Sequence, residues 1–148
     1  MGYYVEGAGY GTTRIRQGGQ VAALEKFKRV MLDPDFMERH ATGGSFRDGK
    51  RVAIWYSWTD TETLRNAVHI ADVLEEFGFD FEITVDGDIV NLCYPQTKTG
   101  SEEVLLDVLS EFFDSGDTIE WGGEDGSRWR TTLGGERAVI HEGRVVYG

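Results

Sequence analysis

Residues 79–94 read FDFEITV, then Asp86-Gly87 (DG), then DIVNLCY: two alternating runs joined by a turn. Alternation with period two marks a half-buried strand. Asp-Gly is a favoured two-residue hairpin turn, because both central positions take positive φ. The pair sets a register with Ile83 opposite Val90, Phe81 opposite Leu92 and Phe79 opposite Tyr94. One face is then apolar, and the other carries Asp80, Glu82, Thr84, Asn91 and Cys93. A slip of one residue would turn the apolar set to solvent, so the hairpin must lie on a hydrophobic layer.

The flanking segments can supply that layer. RVAIWYSW reads as a strand, and TDTETLRNAVHIADVLEEF as a helix with the stripe Leu64, Ala67, Val68, Ala71, Leu74 and Phe77. Thr59, Asp60 or Thr61 can cap it, and Gly78 ends it. After the hairpin, SEEVLLDVLSEFF reads as a helix capped by Ser101 that buries Leu105, Val108, Leu109 and Phe112. Strand DTIEW follows. Residues 50–121 thus run β-α-β-β-α-β, the split βαβ or ferredoxin-like order: an α+β fold with one antiparallel sheet backed by two helices.

Residues 1–49 precede this core as a glycine-rich hairpin or loop pair, YYVEGAGYGTTRI, and a helix, QVAALEKFKRVML. That helix carries Val21, Leu24, Phe27, Val30 and Met31 on one side and stops at Asp33-Pro34. A short turn, DFMERH, and a loop, ATGGSFRDGK, complete the segment. Residues 122–148 read as a β-meander. Its three-residue loop Glu124-Asp125-Gly126 sets Trp121 opposite Trp129 and Glu120 opposite Arg130. Turns at Gly134-Gly135 and Glu142-Gly143 bring back ERAVIH and RVVY. The 148 residues suit a single domain able to bury a core without metals or disulfides.

The net charge is −11, which repels nucleic acid and anionic lipid and favours basic protein partners. One cysteine, Cys93, permits no internal disulfide, and the start MGYYVEGAGYG lacks the basic and apolar regions of a secretory signal. A cytoplasmic protein, with no membrane attachment and no direct contact to nucleic acid, is the expectation.

No catalytic constellation is legible. The glycines of GAGYGTT lack the lysine of a phosphate loop and do not open a helix. His40, His69 and His141 have no metal-ligand spacing, Cys93 has no second cysteine, and Asp86-Gly87-Asp88 lacks the other ligands of a calcium loop. The chain is therefore expected to be no enzyme and to hold neither metal nor cofactor.

Three sets of residues remain as candidates. Glu103, Asp107, Glu111 and Asp114 recur at helical spacing on the third helix, and Asp72, Glu75 and Glu76 on the second. Either they are solvated helix faces, or they form a surface that imitates nucleic-acid phosphates and occupies a basic groove on another protein. Arg128, Arg130, Arg137 and Arg144 project to one sheet face, where they pair with acids or bind an anion. The run AIWYSW supplies Trp55, core or half-exposed platform, and Trp58, which sits at a strand end where a pocket could open.

The MGYY start, and GEDGSRWR ahead of a short glycine-punctuated tail, resemble small uncharacterised acidic proteins of actinobacteria and their phages. That resemblance implies a phage-borne or defence-related role and no particular chemistry. The leading expectation is a non-enzymatic acidic protein that blocks a basic, nucleic-acid-binding partner. The alternatives are a small-molecule or nucleotide module built on the arginine face, and an enzyme without a recognisable motif.

Overall fold

A computed structural model describes residues 3–142. The elements are β1 (Tyr4–Ile15), α1 (Gln20–Met31), α2 (Pro34–His40), β2 (Gly43–Arg47), β3 (Lys50–Ile54), α3 (Thr61–Arg65), α4 (Ile70–Glu76), β4 (Asp80–Ile83), β5 (Ile89–Lys98), α5 (Glu102–Leu109), β6 (Thr118–Gly123), β7 (Arg128–Thr132) and β8 (Val139–Glu142). The fold is mixed α and β. Six strands form one antiparallel sheet in the order β4-β5-β1-β6-β7-β8, and β2 and β3 form a separate hairpin.

The N-terminal segment, expected as a hairpin or loop pair, is a single twelve-residue strand between β5 and β6. Its side chains alternate between core and solvent from Tyr4 to Tyr10. Gly7 and Gly9 fall on the buried side because nothing larger fits there. A Cβ on Gly7 would lie 2.7 Å from the Trp121 ring, and one on Gly9 would lie 2.5 Å from the Leu92 carbonyl oxygen. Between Gly9 and Arg14 the register with β5 shifts. There the Thr13 hydroxyl stands in for the ladder, accepting from Leu92 N–H and donating to the Gly9 carbonyl.

β1 thus takes the place in the sheet that the sequence reading gave to RVAIWYSW. β3 ends at Ile54 and, among the described residues, pairs only with β2, so the expected β-α-β-β-α-β order over 50–121 does not form around it. The segment expected to be a loop, residues 41–50, instead holds β2 and a tight turn at Asp48 and Gly49, both with positive φ.

The expected helix over 59–77 is two helices, broken at residues 66–69. Asp72 accepts from the His69 N–H and so starts α4 afresh. Val68, assigned to the stripe, is exposed in the break, and Val21 is likewise outside the buried side of α1. α5 is shorter than expected and tightens into a 3-10 turn over Ser110–Phe112. Ser101 does not cap it, because its hydroxyl donates to the Trp55 carbonyl.

The β4–β5 register departs from the two-residue Asp86-Gly87 turn. Ile83 pairs with Ile89 and Glu82 with Val90, while Asp80 regains the expected partner, Cys93, through a shift. Asp88 causes the departure. It is drawn inward to accept from Gln17 N–H and Arg14 Nη1, at 2.8 and 2.6 Å. The loop widens accordingly and leaves Val85 fully exposed.

At the other end the expected β6–β7 register is met: Trp121 faces Trp129 and Glu120 faces Arg130. The Gly134-Gly135 turn is not. Thr132 pairs with Val139, so residues 133–138 form a wider loop. Leu133 and Gly134 leave the sheet to bond with Asp117 and Ser110, beside the end of α5. Beyond residue 142, the expected turn at Glu142-Gly143 and the RVVY strand lie outside the described residues.

The helices pack on the sheet face that carries Val5, Ile15, Leu92, Tyr94, Ile119 and Trp121, giving one apolar cluster. Among the described residues the other sheet face is open, with Tyr4, Glu6, Tyr10, Glu120 and Arg130 exposed along it. Among the described residues no helix is long and apolar enough to cross a membrane.

Candidate functional site

The AIWYSW run turns inward at its centre. Trp55 is 0% exposed; it contacts the rings of Phe36 and Phe77, and its Nε1–H donates to the Met31 carbonyl at 2.9 Å. Its ring is sealed in the core, so the platform reading is corrected. Tyr56 is buried too, and its hydroxyl donates to Glu102 Oε2 at 2.8 Å. The Tyr94 hydroxyl lies 3.3 Å from that of Tyr56. Gly100 N–H and the Thr99 hydroxyl complete the shell around Glu102, which is only 2% exposed. Burial first, and then the Glu102 charge, push the Tyr56 hydroxyl far above the ordinary tyrosine range; burial likewise raises Tyr94. Every polar atom here is committed, and the cluster pins residues 55–59 to the start of α5. Trp58 covers it from outside, stacked on Tyr56 at 4.1 Å and 40% exposed, with its Nε1–H on the Glu76 carbonyl.

The acidic residues separate into two groups. On the α5 side, Asp107 accepts from Arg137 and from Ala138 N–H, so it fastens the loop before β8. Glu111 pairs with Lys26 of α1. Asp114, past the end of α5, accepts from Nε and Nη2 of Arg16 at 3.0 and 2.8 Å, which holds its carboxyl below the usual range. Glu103 stands apart from these three, beside Phe36, His40, Val104 and Arg137. The expected four-residue acidic face is thus largely a set of internal ties.

The second group converges. The break between α3 and α4 opens a groove of about 670 Å³ that gathers Asp60, Glu62, Asp72, Glu75 and Glu76. Asp60 caps α3 through Glu62 N–H and the Thr63 hydroxyl, Glu76 accepts from Asp60 N–H, and Asp72 accepts from His69 N–H. Glu62 is paired with Arg65, both well exposed. Neutral N–H and O–H donors orient the Asp60, Asp72 and Glu76 carboxyls without cancelling their charge, and Arg65 offsets only Glu62, so a negative potential remains over the groove.

No family model, curated protein or solved structure matches the chain.

Of the four candidate arginines, the three within the described residues do not converge. Arg130 pairs with Glu120 across the sheet, Arg137 is held by Asp107, and Arg128 is exposed near the β6–β7 turn. Arg144 lies outside the described residues. Cys93 is half-buried on the open sheet face, 3.7 Å from the Tyr10 hydroxyl. Among the described residues no three His, Cys, Asp or Glu side chains are placed to hold a metal ion. Sequence reasoning named Asp72, Glu75 and Glu76 but missed Asp60 and Glu62. The signal available for those two was their place as a cap and first turn, two residues apart ahead of a helix.

Proposed function

We propose that this chain is a non-enzymatic acidic binding protein, and that the α3–α4 groove receives a basic segment of a nucleic-acid-binding partner in place of phosphates. The convergence of Asp60, Glu62, Asp72, Glu75 and Glu76, with Arg65 the one basic side chain paired among them in the described residues, carries the reading. Such a field speeds encounter with cationic partners and falls with salt. The resemblance of the chain's two ends to proteins of actinobacteria and their phages points to a host or defence protein as the partner blocked. The arginine face has no part in the proposal, because two of its members are held by carboxylates. In the fold we read a split βαβ, ferredoxin-like core with β1 in first place; the antiparallel order β4-β5-β1-β6 supports it.

The test compares two double variants of equal charge change. Glu62→Lys with Glu75→Lys alters the groove; Glu6→Lys with Glu25→Lys alters exposed positions on β1 and α1. A labelled oligo-lysine peptide should bind the unaltered protein in a salt-dependent way. The groove variant should weaken it at least about tenfold, roughly the 1.4 kcal/mol of lost charge attraction. Equal weakening by both variants would reduce the effect to net charge and remove the groove as a site.

A further inference from the structure

Among the described residues, the edge of β3 away from β2 is unpaired. Asp48 and Gly49 turn with φ of 50° and 76°, and a two-residue turn of this kind makes Arg47 and Lys50 a hydrogen-bonded pair. Alternation along the ladder then directs the backbone groups of Val52 and Ile54 to β2, and those of Arg51 and Ala53 away from it. Among the described residues, the N–H and C=O of Arg51 and Ala53 have no hydrogen-bond partner outside that ladder.

On this free side lies a cleft of about 690 Å³. Four consecutive residues, Arg51, Val52, Ala53 and Ile54, line it, as the edge of a strand does and a single face does not. Leu32, Pro34 and Met37 form an apolar wall with Glu38 at its edge, while Asp60, Glu62 and the Arg65 paired with Glu62 stand on the α3 side. Asp60 and Glu62 also line the acidic groove, so the two depressions meet at α3.

We propose that β3 takes up an extended segment of the partner as an added strand, with apolar side chains against Leu32 and Met37 and basic ones toward Asp60 and Glu62. The backbone supplies two donors and two acceptors, and the flanking walls select alternate side chains, which is how sheet edges recognise peptides. The α3–α4 groove continues the charged wall. The proposal rests on the reading of that groove as a site for basic segments.

The probe is a short, end-blocked, fluorescent peptide of alternating valine and lysine, titrated against the full chain by anisotropy. Two further peptides carry N-methyl groups on every valine or on every lysine. An added strand directs only one of these sets of N–H groups at β3. One methylated peptide should therefore bind about tenfold or more weakly and the other within about twofold of the parent, the loss expected for two hydrogen bonds. Ala53→Pro, which removes an N–H aimed at the cleft and spares the β2 ladder, should give a similar loss, with its thermal melt reporting that it folds. Equal effects of the two methylated peptides, or no binding of the parent, would overturn the added strand. If equal effects came with sensitivity to Glu62→Lys and Glu75→Lys, the groove reading would survive alone. A selective methyl effect without that sensitivity would keep the strand and reject the basic partner. Self-association in sedimentation equilibrium, abolished by Ala53→Pro, would assign the edge to a second copy of the chain and also overturn the proposal.

Discussion

The Tyr56 hydroxyl donates to Glu102 Oε2 at 2.8 Å inside the core, joining the turn after β3 to the first residue of α5. Tyr56→Phe removes one of the two donors to that buried, charged oxygen and leaves Gly100 N–H. A loss of about 1–3 kcal/mol in urea unfolding is expected. The same contact shapes the alkaline limit. Tyr56 and Tyr94 are held neutral in the fold, and their values are raised above that of the unfolded chain. Their contribution is fully present below the unfolded value near pH 10 and is lost as pH rises past it, because the unfolded chain then releases protons that the native chain keeps. Stability should fall by about 1.4 kcal/mol per pH unit for each such tyrosine, and Tyr56→Phe should remove one such increment from the slope. An unchanged slope would place the hydroxyl in water.

Trp121 lies over Gly7 and against Trp129, with ring centroids 6.2 Å apart and planes within 5°. Trp121→Ala should cost about 3–5 kcal/mol, the usual range for a large core ring. Trp129 is only half-buried and should cost less. Gly7→Ala pushes a methyl into the Trp121 ring and should cost about 1–3 kcal/mol. In the double variant the clash has no ring to meet, so the total should fall short of the sum by about 1 kcal/mol or more. Strict additivity would show that the two sites do not touch.

Asp88 accepts from Gln17 N–H and Arg14, and these contacts hold its carboxyl below the ordinary aspartate value. Its contribution is therefore present above the unfolded value near pH 3.9 and is lost as pH falls below it. Asp88→Asn should lower the melting temperature at neutral pH and make progressively less difference as the pH drops below that value. A constant difference from pH 7 to pH 2 would mean that the Asp88 charge plays no part.

The β6–β7 hairpin was legible because its turn and its cross-strand pairs act within a dozen residues. β1 was not. Alternate glycines look like loop, and the reason for Gly7 is a tryptophan ring far along the chain. AIWYSW has the aromatic content of a strand, yet Trp55 and Tyr56 are consecutive and both buried. A half-buried strand cannot place neighbours on the same side, so the chain must turn there. Glu111, Asp114 and Asp107, acidic candidates on the α5 side, failed to remain a free surface for a similar reason. Their partners Lys26, Arg16 and Arg137 lie 85, 98 and 30 residues away in sequence, beyond any local pattern. Asp72, Glu75 and Glu76 converge with Asp60 and Glu62 because a helix break brings α3 and α4 side by side.

Those distant pairings separate stability from binding. Glu111 and Asp114 tie α1 and the end of β1 to the region after α5, so reversing them to lysine sets like charges against Lys26 and Arg16. These pairs are partly exposed, and each reversal should cost up to about 1 kcal/mol, less at high salt. Binding of the basic peptide should change little beyond the shift in net charge. Glu62→Lys with Glu75→Lys should do the opposite: stability within about 0.5 kcal/mol of the unaltered protein, because both side chains are exposed, and a lower, flatter salt dependence of binding. Parallel urea unfolding and salt titrations on the two double variants check both halves. If Glu111 and Asp114 control binding while Glu62 and Glu75 are silent, the interface lies on the α5 side and the groove assignment fails.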